Sequence, residues 1–136
     1  MAARPAALDL DALLRAASPF GEARLVVVFG SVARTQARVD SDADVGILGV
    51  SFWRGLLLGE ALGSVLGREA HVVELERASD WLRYEVARDG VLVHETPPGE
   101  WARFRAEAAL RYFDLRPIIE LCAAGATRAL RHPADG

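Results

Sequence analysis

Apolar and polar positions alternate along the chain in blocks that predict strands and helices in turn. Leu8 to Ala17 has the spacing of a short helix with Asp9 near its start, closed by Ser18-Pro19 and Gly21. Leu25-Val26-Val27-Val28-Phe29 is an uninterrupted apolar run and reads as a buried strand; Asp42 to Leu48 reads as a second one. Phe52 to Leu66 places Leu56, Leu57, Leu58, Leu62, Val65 and Leu66 on one broad apolar face, predicting a crossover helix that ends near Gly67. A third strand is expected over about Arg68 to Leu75. A helix capped by Ser79 follows through Arg88, Gly90 stops it, and a short strand covers Val91 to His94. After Pro97-Pro98-Gly99 the pattern is helical from Glu100 to Asp114 and again from Pro117 to about Ala124. Pro117 biases Arg116 away from helix and so marks a break between the two. The expected class is α/β (α+β), one domain over residues 1–136 with a core at about 20–96 and a C-terminal helical segment at about 100–124.

The junction after the first strand carries the chemistry. Gly30 and Ser31 end the apolar run, and the residues after them can start a helix. A strand that turns at Gly-Ser into a helix start exposes backbone N–H groups that bind anions. Ser31 adds a hydroxyl and Arg34 a fork-shaped cation, both suited to phosphate oxygens. Ten residues separate Ser31 from Asp42, room for one helical turn and a return through Arg38, Val39, Asp40 and Ser41. On the second strand Asp42 and Asp44 point to the same face, roughly 6–7 Å apart by the strand rise. Two carboxylates that close repel until a cation arrives, and hard oxygen ligands select Mg²⁺ or Mn²⁺, which also bridge nucleotide phosphates. The combination points to nucleotide chemistry.

The string Gly30-Ser31-Val32-Ala33-Arg34-Thr35, with Asp42-Ala43-Asp44 after the gap, resembles the Gly-Ser…Asp-x-Asp signature of the polymerase-beta-like nucleotidyltransferase superfamily, and the short chain resembles its minimal (MNT) branch. A second block, Ala70 to Leu75 and then Tyr84 to Glu95, resembles the strand, helix and strand that close the minimal fold. The resemblance covers about residues 24 to 96 and implies a small mixed β-sheet flanked by helices. It further implies transfer of AMP from ATP to a hydroxyl, with Gly30, Ser31 and Arg34 on the β- and γ-phosphates and Asp42 and Asp44 positioning two metal ions. Members of the branch are often antitoxins paired with a HEPN-domain ribonuclease toxin, so the implied acceptor is a tyrosine on such a partner.

Two positions depart from the family pattern. Thr35 stands where the family has glycine, removing backbone freedom in the loop. The family's third carboxylate, an aspartate on the strand beside the Asp pair, falls on His71. Histidine can take a proton but brings no negative charge and is a poorer partner for Mg²⁺. Glu69, on the same strand face as His71, and Glu74, on the opposite face, are the nearby carboxylates that could supply the missing charge. The competing readings are a catalytically degenerate nucleotide-binding or toxin-covering module, and a small-molecule nucleotidyltransferase; the latter usually carries an extra substrate domain.

Composition narrows the setting. The net charge of -3 argues against a general nucleic-acid-binding surface, and all sixteen basic residues are arginine. Cys122 is the one cysteine, so a disulfide framework or zinc cluster within one chain is excluded. No apolar run suits a signal peptide or a membrane span, which predicts a cytoplasmic protein. Trp101, Phe104, Ala108, Leu110, Tyr112 and Phe113 are too many apolar groups for a helix that touches only water. They either pack on the sheet or form a partner surface, for a helical protein or for a homodimer, the commonest closed assembly. Arg128 to His132 lie in a tail with no expected catalytic role.

Overall fold

A computed structural model describes residues 8–34, 41–115 and 121–124. Thr35, the return loop through Arg38 to Asp40, the break at Pro117 and the tail at Arg128 to His132 lie outside the described residues. Four strands, β1 (Leu25–Phe29), β2 (Ala43–Leu48), β3 (Ala70–Glu74) and β4 (Val91–Glu95), form one sheet in the order β3-β2-β1-β4. β1 pairs antiparallel with β2 and β4, whereas β2 and β3 run parallel. A parallel pair needs a long crossover. Helix α3 (Phe52–Leu66) provides it.

Both faces of the sheet are covered, which accounts for the unbroken apolar run of β1: all five of its residues are buried. Val26, Val28, Ala43, Val45 and Ile47 face a core shared with α1 (Leu10–Ala17) and α3. Leu25, Val27, Phe29 and Leu48 face the other way, onto α4 (Asp80–Asp89) and α5 (Glu100–Ala109). The cap residues act through their side-chain oxygens. Asp9 accepts from the Ala12 amide at 3.0 Å, Ser51 from Arg54 at 3.3 Å and Ser79 from Leu82 at 3.1 Å, each contributing about 1 kcal/mol to its helix.

The crossover helix packs differently from its hydrophobic pattern. Its buried positions are Gly55, Leu58, Gly59, Leu62 and Gly63, while Leu56, Leu57 and Val65 are exposed. The reason is distance. A Cβ on Gly55 would stand 2.3 Å from Ile47 Cδ1, one on Gly59 2.4 Å from Val72 Cγ2, and one on Gly63 2.5 Å from the Arg68 carbonyl. Glycines every fourth residue let the helix backbone lie against β2 and β3, so the expected face holds at Leu58, Leu62 and the partly buried Leu66, and the glycines complete the stripe where Leu56, Leu57 and Val65 were expected. Gly59→Val is therefore expected to lower stability by about 1–3 kcal/mol through overpacking, more than the helix propensity it recovers, and thermal denaturation reads the loss.

Gly90 does more than stop α4. Its φ of -68° suits any residue, but a Cβ there would lie 2.3 Å from the Val86 carbonyl and 2.6 Å from Val27 Cγ1. The chain has to pass bare-backboned over β1. At the C-terminus, the expected helix from Glu100 to Asp114 divides: α5 ends at Ala109 and a π-helical turn covers Leu110–Leu115. The aromatic segment divides with it. Phe104 and Ala108 are buried on the sheet, whereas Leu110 and Phe113 remain about half exposed. Tyr112 stacks on Tyr84 of α4 with ring centroids 4.2 Å apart. Glu100, buried at the start of α5, is neutralised by Arg24. Residues 121–124 are helical and exposed, Cys122 among them. No helix among the described residues is long and apolar enough to cross a membrane.

Candidate active site

β1 ends at Phe29, and Gly30 turns the chain with φ +74°, a left-handed value that favours glycine. One helical turn, α2 (Gly30–Ala33), follows. Gly30 also needs its missing side chain for a second reason: a Cβ would lie 2.2 Å from Asp44 Oδ2. The carboxylate of β2 thus rests directly against the turn after β1, because Phe29 and Asp44 are cross-strand partners.

The neighbouring strand sets the other side of that carboxylate. β2 enters the sheet held to β3, with the Ala43 amide donating to the Glu69 carbonyl at 2.8 Å and the Arg68 guanidinium donating to the Ser41 carbonyl at 2.8 Å. This register puts His71 beside Asp44, with His71 Nδ1 3.2 Å from Asp44 Oδ1. A carboxylate accepts, so the tautomer of a neutral imidazole that suits this contact has its hydrogen on Nδ1 and leaves Nε2 to accept. Asp44 has one oxygen on the turn and the other on the histidine.

These groups line a cleft of about 410 Å³ together with α4. Its walls include Gly30, Ser31 and Arg34 from the turn, Asp44 and His71 from the sheet, and Leu82, Glu85 and Asp89 from the helix. Five of the six residues singled out from the sequence therefore meet in one place. The sixth, Asp42, is exposed just ahead of β2 and is not among the lining residues. Glu69 and Glu74 are not in the lining either: Glu69 borders a different depression beside Gly63 and Ser64, and Glu74 lies 3.8 Å from Arg77. The carboxylates that join Asp44 in the cleft come from α4, Glu85 and Asp89. The signal for them was an i,i+4 acidic pair one turn beyond Leu82, a spacing common on solvated helices and thus easily passed over.

Asp89 organises the cationic side. It takes two hydrogen bonds from Arg88 Nε at 3.1 Å and one from Arg88 Nη2 at 2.8 Å, and lies 3.6 Å from Arg34 Nη1. Arg88, and after it Arg34, holds the Asp89 carboxyl below its ordinary range. A carboxylate with a lowered pKa stabilises the fold above its unfolded value and loses that contribution only as the pH falls through the depressed one. The Arg34 anchor thus persists through neutral and mildly acidic solution. Asp89→Asn should leave the fold intact but weaken nucleotide binding several-fold by removing the charge that faces Arg34, an effect that titration calorimetry resolves.

Among the described residues no three His, Cys, Asp or Glu side chains converge on a metal-sized space. Mg²⁺ does not require such a cage, since it keeps water ligands and takes one or two carboxylates alongside substrate phosphates. Asp44 fits that donor set as one carboxylate inside the cleft, with Asp42 two residues before it at the entry to β2.

The polymerase beta nucleotidyltransferase family model matches residues 13–98 of the chain. No curated protein sequence matches. Among solved structures, the chain is similar to one from a toxin–antitoxin complex crystallised with AMP-PNP, at 19% identity and a TM-score of 0.66, over 88% of this chain and 99% of that one. It is also similar to a chain of the complex between a tri-AMPylated HEPN toxin and an MNT antitoxin from Shewanella oneidensis, at 21% identity and a TM-score of 0.55, over 85% and 90% of the two chains. A candidate minimal nucleotidyltransferase is 33% identical with a TM-score of 0.50, over 60% of this chain and 86% of that one. With the Gly-Ser turn, the flanking aspartate and the mixed four-stranded sheet in place, the chain belongs to the polymerase beta nucleotidyltransferase family.

Proposed function

We propose that the chain transfers AMP from ATP to a hydroxyl on a protein partner, as the antitoxin of a HEPN/MNT pair. The observation that carries this reading is the double engagement of Asp44, which touches the phosphate-type turn at Gly30 on one side and His71 on the other. Ser31 and Arg34 hold the β- and γ-phosphates, and Asp44 with Asp42 faces the α-phosphate. Asp42 and Asp44 are the residues that would hold Mg²⁺ or Mn²⁺, which when bound neutralises charge along the phosphates. His71, oriented through Nδ1 by Asp44, accepts the acceptor's proton on Nε2. The acceptor oxygen bonds to the α-phosphorus, the bond from that phosphorus to the β-phosphate bridging oxygen breaks, and pyrophosphate leaves.

On this reading His71 replaces the family's third carboxylate as proton acceptor rather than marking a dead site. The protein acceptor is supported by the company of the similar folds, one crystallised in a toxin–antitoxin complex with AMP-PNP and one with an AMPylated HEPN toxin. The half-exposed Leu110 and Phe113 beside the Tyr84–Tyr112 stack offer apolar surface on which a helical partner could dock. Incubation with ATP labelled at the α-phosphate and a HEPN-domain protein encoded beside the chain's own gene tests the proposal. Label should pass to a tyrosine of that protein, with pyrophosphate released in equal amount. Pyrophosphate release without protein labelling would instead favour a small-molecule acceptor.

A further inference from the structure

Glu85 lines the same cleft but has no part in the chemistry above. Its side chain is half-buried on the inner face of α4, one turn from Asp89. Among the described residues it makes no hydrogen bond or ion pair, and Arg88, whose charge it feels, is engaged with Asp89. A half-buried carboxylate without a donor is costly unless a ligand supplies one. Asp89, the carboxylate one turn along the same helix, is taken by Arg88 and lies against Arg34, so the two do not offer a cation a free acidic pair. Phosphate is excluded as its neighbour by like charge. What remains is the part of a nucleotide that donates hydrogen bonds.

Position selects which part. α4 crosses the cleft from Asp89, beside the phosphate-side Arg34, to Leu82, which lines it together with Val73 of β3. Four residues of helix place Glu85 roughly 6 Å from Asp89 along the axis. That is about the reach from the outer phosphates to the sugar, whereas an exocyclic amino group of the base lies farther on, toward the apolar Leu82 and Val73.

We infer that Glu85 accepts hydrogen bonds from the ribose hydroxyls of the bound nucleotide and makes the cleft selective for ribo- over deoxyribonucleotides. The inference rests on the nucleotide-binding reading of the cleft and adds the residue that reads the sugar. A carboxylate accepting from a sugar hydroxyl is a charge-assisted bond, and its loss in a partly dry site costs on the order of tenfold to a hundredfold in affinity.

The test is a set of calorimetric titrations of the full chain with ATP, 2′-deoxy-ATP and 3′-deoxy-ATP in Mg²⁺, for the wild type and for Glu85→Ala. The wild type should favour ATP over at least one deoxynucleotide by about tenfold or more, and the variant should bind all three within about twofold of one another. A merely structural role for Glu85 would weaken all three alike and keep the ratio, which overturns the inference, as does a wild type that fails to discriminate. These failures leave the nucleotide site standing. A wild type that binds none of the three overturns the nucleotide reading and the inference together.

Discussion

Asp44→Asn should lower AMP transfer by two to three orders of magnitude while leaving the melting temperature nearly unchanged. The asparagine carbonyl can still accept from His71 Nδ1, so the histidine keeps its orientation. What disappears is the negative charge that rests against the Gly30 turn, where a metal–phosphate complex would need it. A fall of that size corresponds to roughly 3–4 kcal/mol of transition-state stabilisation, far above the 0–1 kcal/mol that a part-exposed His–Asp pair contributes to folding. The two effects are thus separable in one variant: kinetics reads the first and thermal denaturation the second. A variant that transfers AMP at the wild-type rate would remove Asp44 from the reaction.

His71→Ala is the second large effect. Removing a positioned proton acceptor lowers kcat by on the order of 10²–10⁴-fold, whereas affinity for the nucleotide should stay within about threefold, since His71 is an exposed edge-strand residue to which the proposed function gives no phosphate contact. Free imidazole should restore part of the rate, because the cavity left beside Asp44 opens to solvent. His71→Asp separates this role from a lost metal ligand. It sets a second carboxylate beside Asp44 and takes away the nitrogen acceptor, so the rate should fall. A rise on restoring the family's aspartate would instead show that histidine is a deficit in this chain.

Much of this architecture was legible in the sequence, for identifiable reasons. β1 is a five-residue apolar run bounded by polar residues, and the structure ends it at the same two residues. The cap at Ser79 and the stop at the left-handed Gly67 obey local rules that need no tertiary context. The Gly-Ser turn was readable because the apolar run stops on a glycine there, and the direction of Asp44 because strand alternation fixes it. His71 was placed on the strand beside the Asp pair by family pattern, and the parallel register of β3 on β2 puts it opposite Asp44.

What escaped depends on groups meeting across the fold. The buried face of α3 combines Leu58 and Leu62, which the hydrophobic pattern found, with three glycines whose value is the absence of a side chain, so the pattern also assigned the exposed Leu56, Leu57 and Val65 to the core. Glu85 and Asp89 belong to the cleft only because α4 crosses the sheet above β1 to β3, and the sheet order β3-β2-β1-β4 is not written in any local run. The C-terminal aromatics looked like one surface. After the π turn at Leu110 the later ones gather on Tyr84 of α4 instead, leaving Phe104 in the core and Phe113 about half exposed.

On the proposed function, the cleft between the Gly30 turn, Asp44 and α4 binds a metal–nucleotide complex. Calorimetric titration with ATP and Mn²⁺, comparing the wild type with the Asp42→Asn, Asp44→Asn double variant, tests it most directly. The predicted result is saturable binding by the wild type that requires Mn²⁺ and weakens by more than about tenfold in the double variant, whose carboxylates can no longer draw the cation to the phosphates. Equal weak binding by both proteins, with or without the metal, would contradict it.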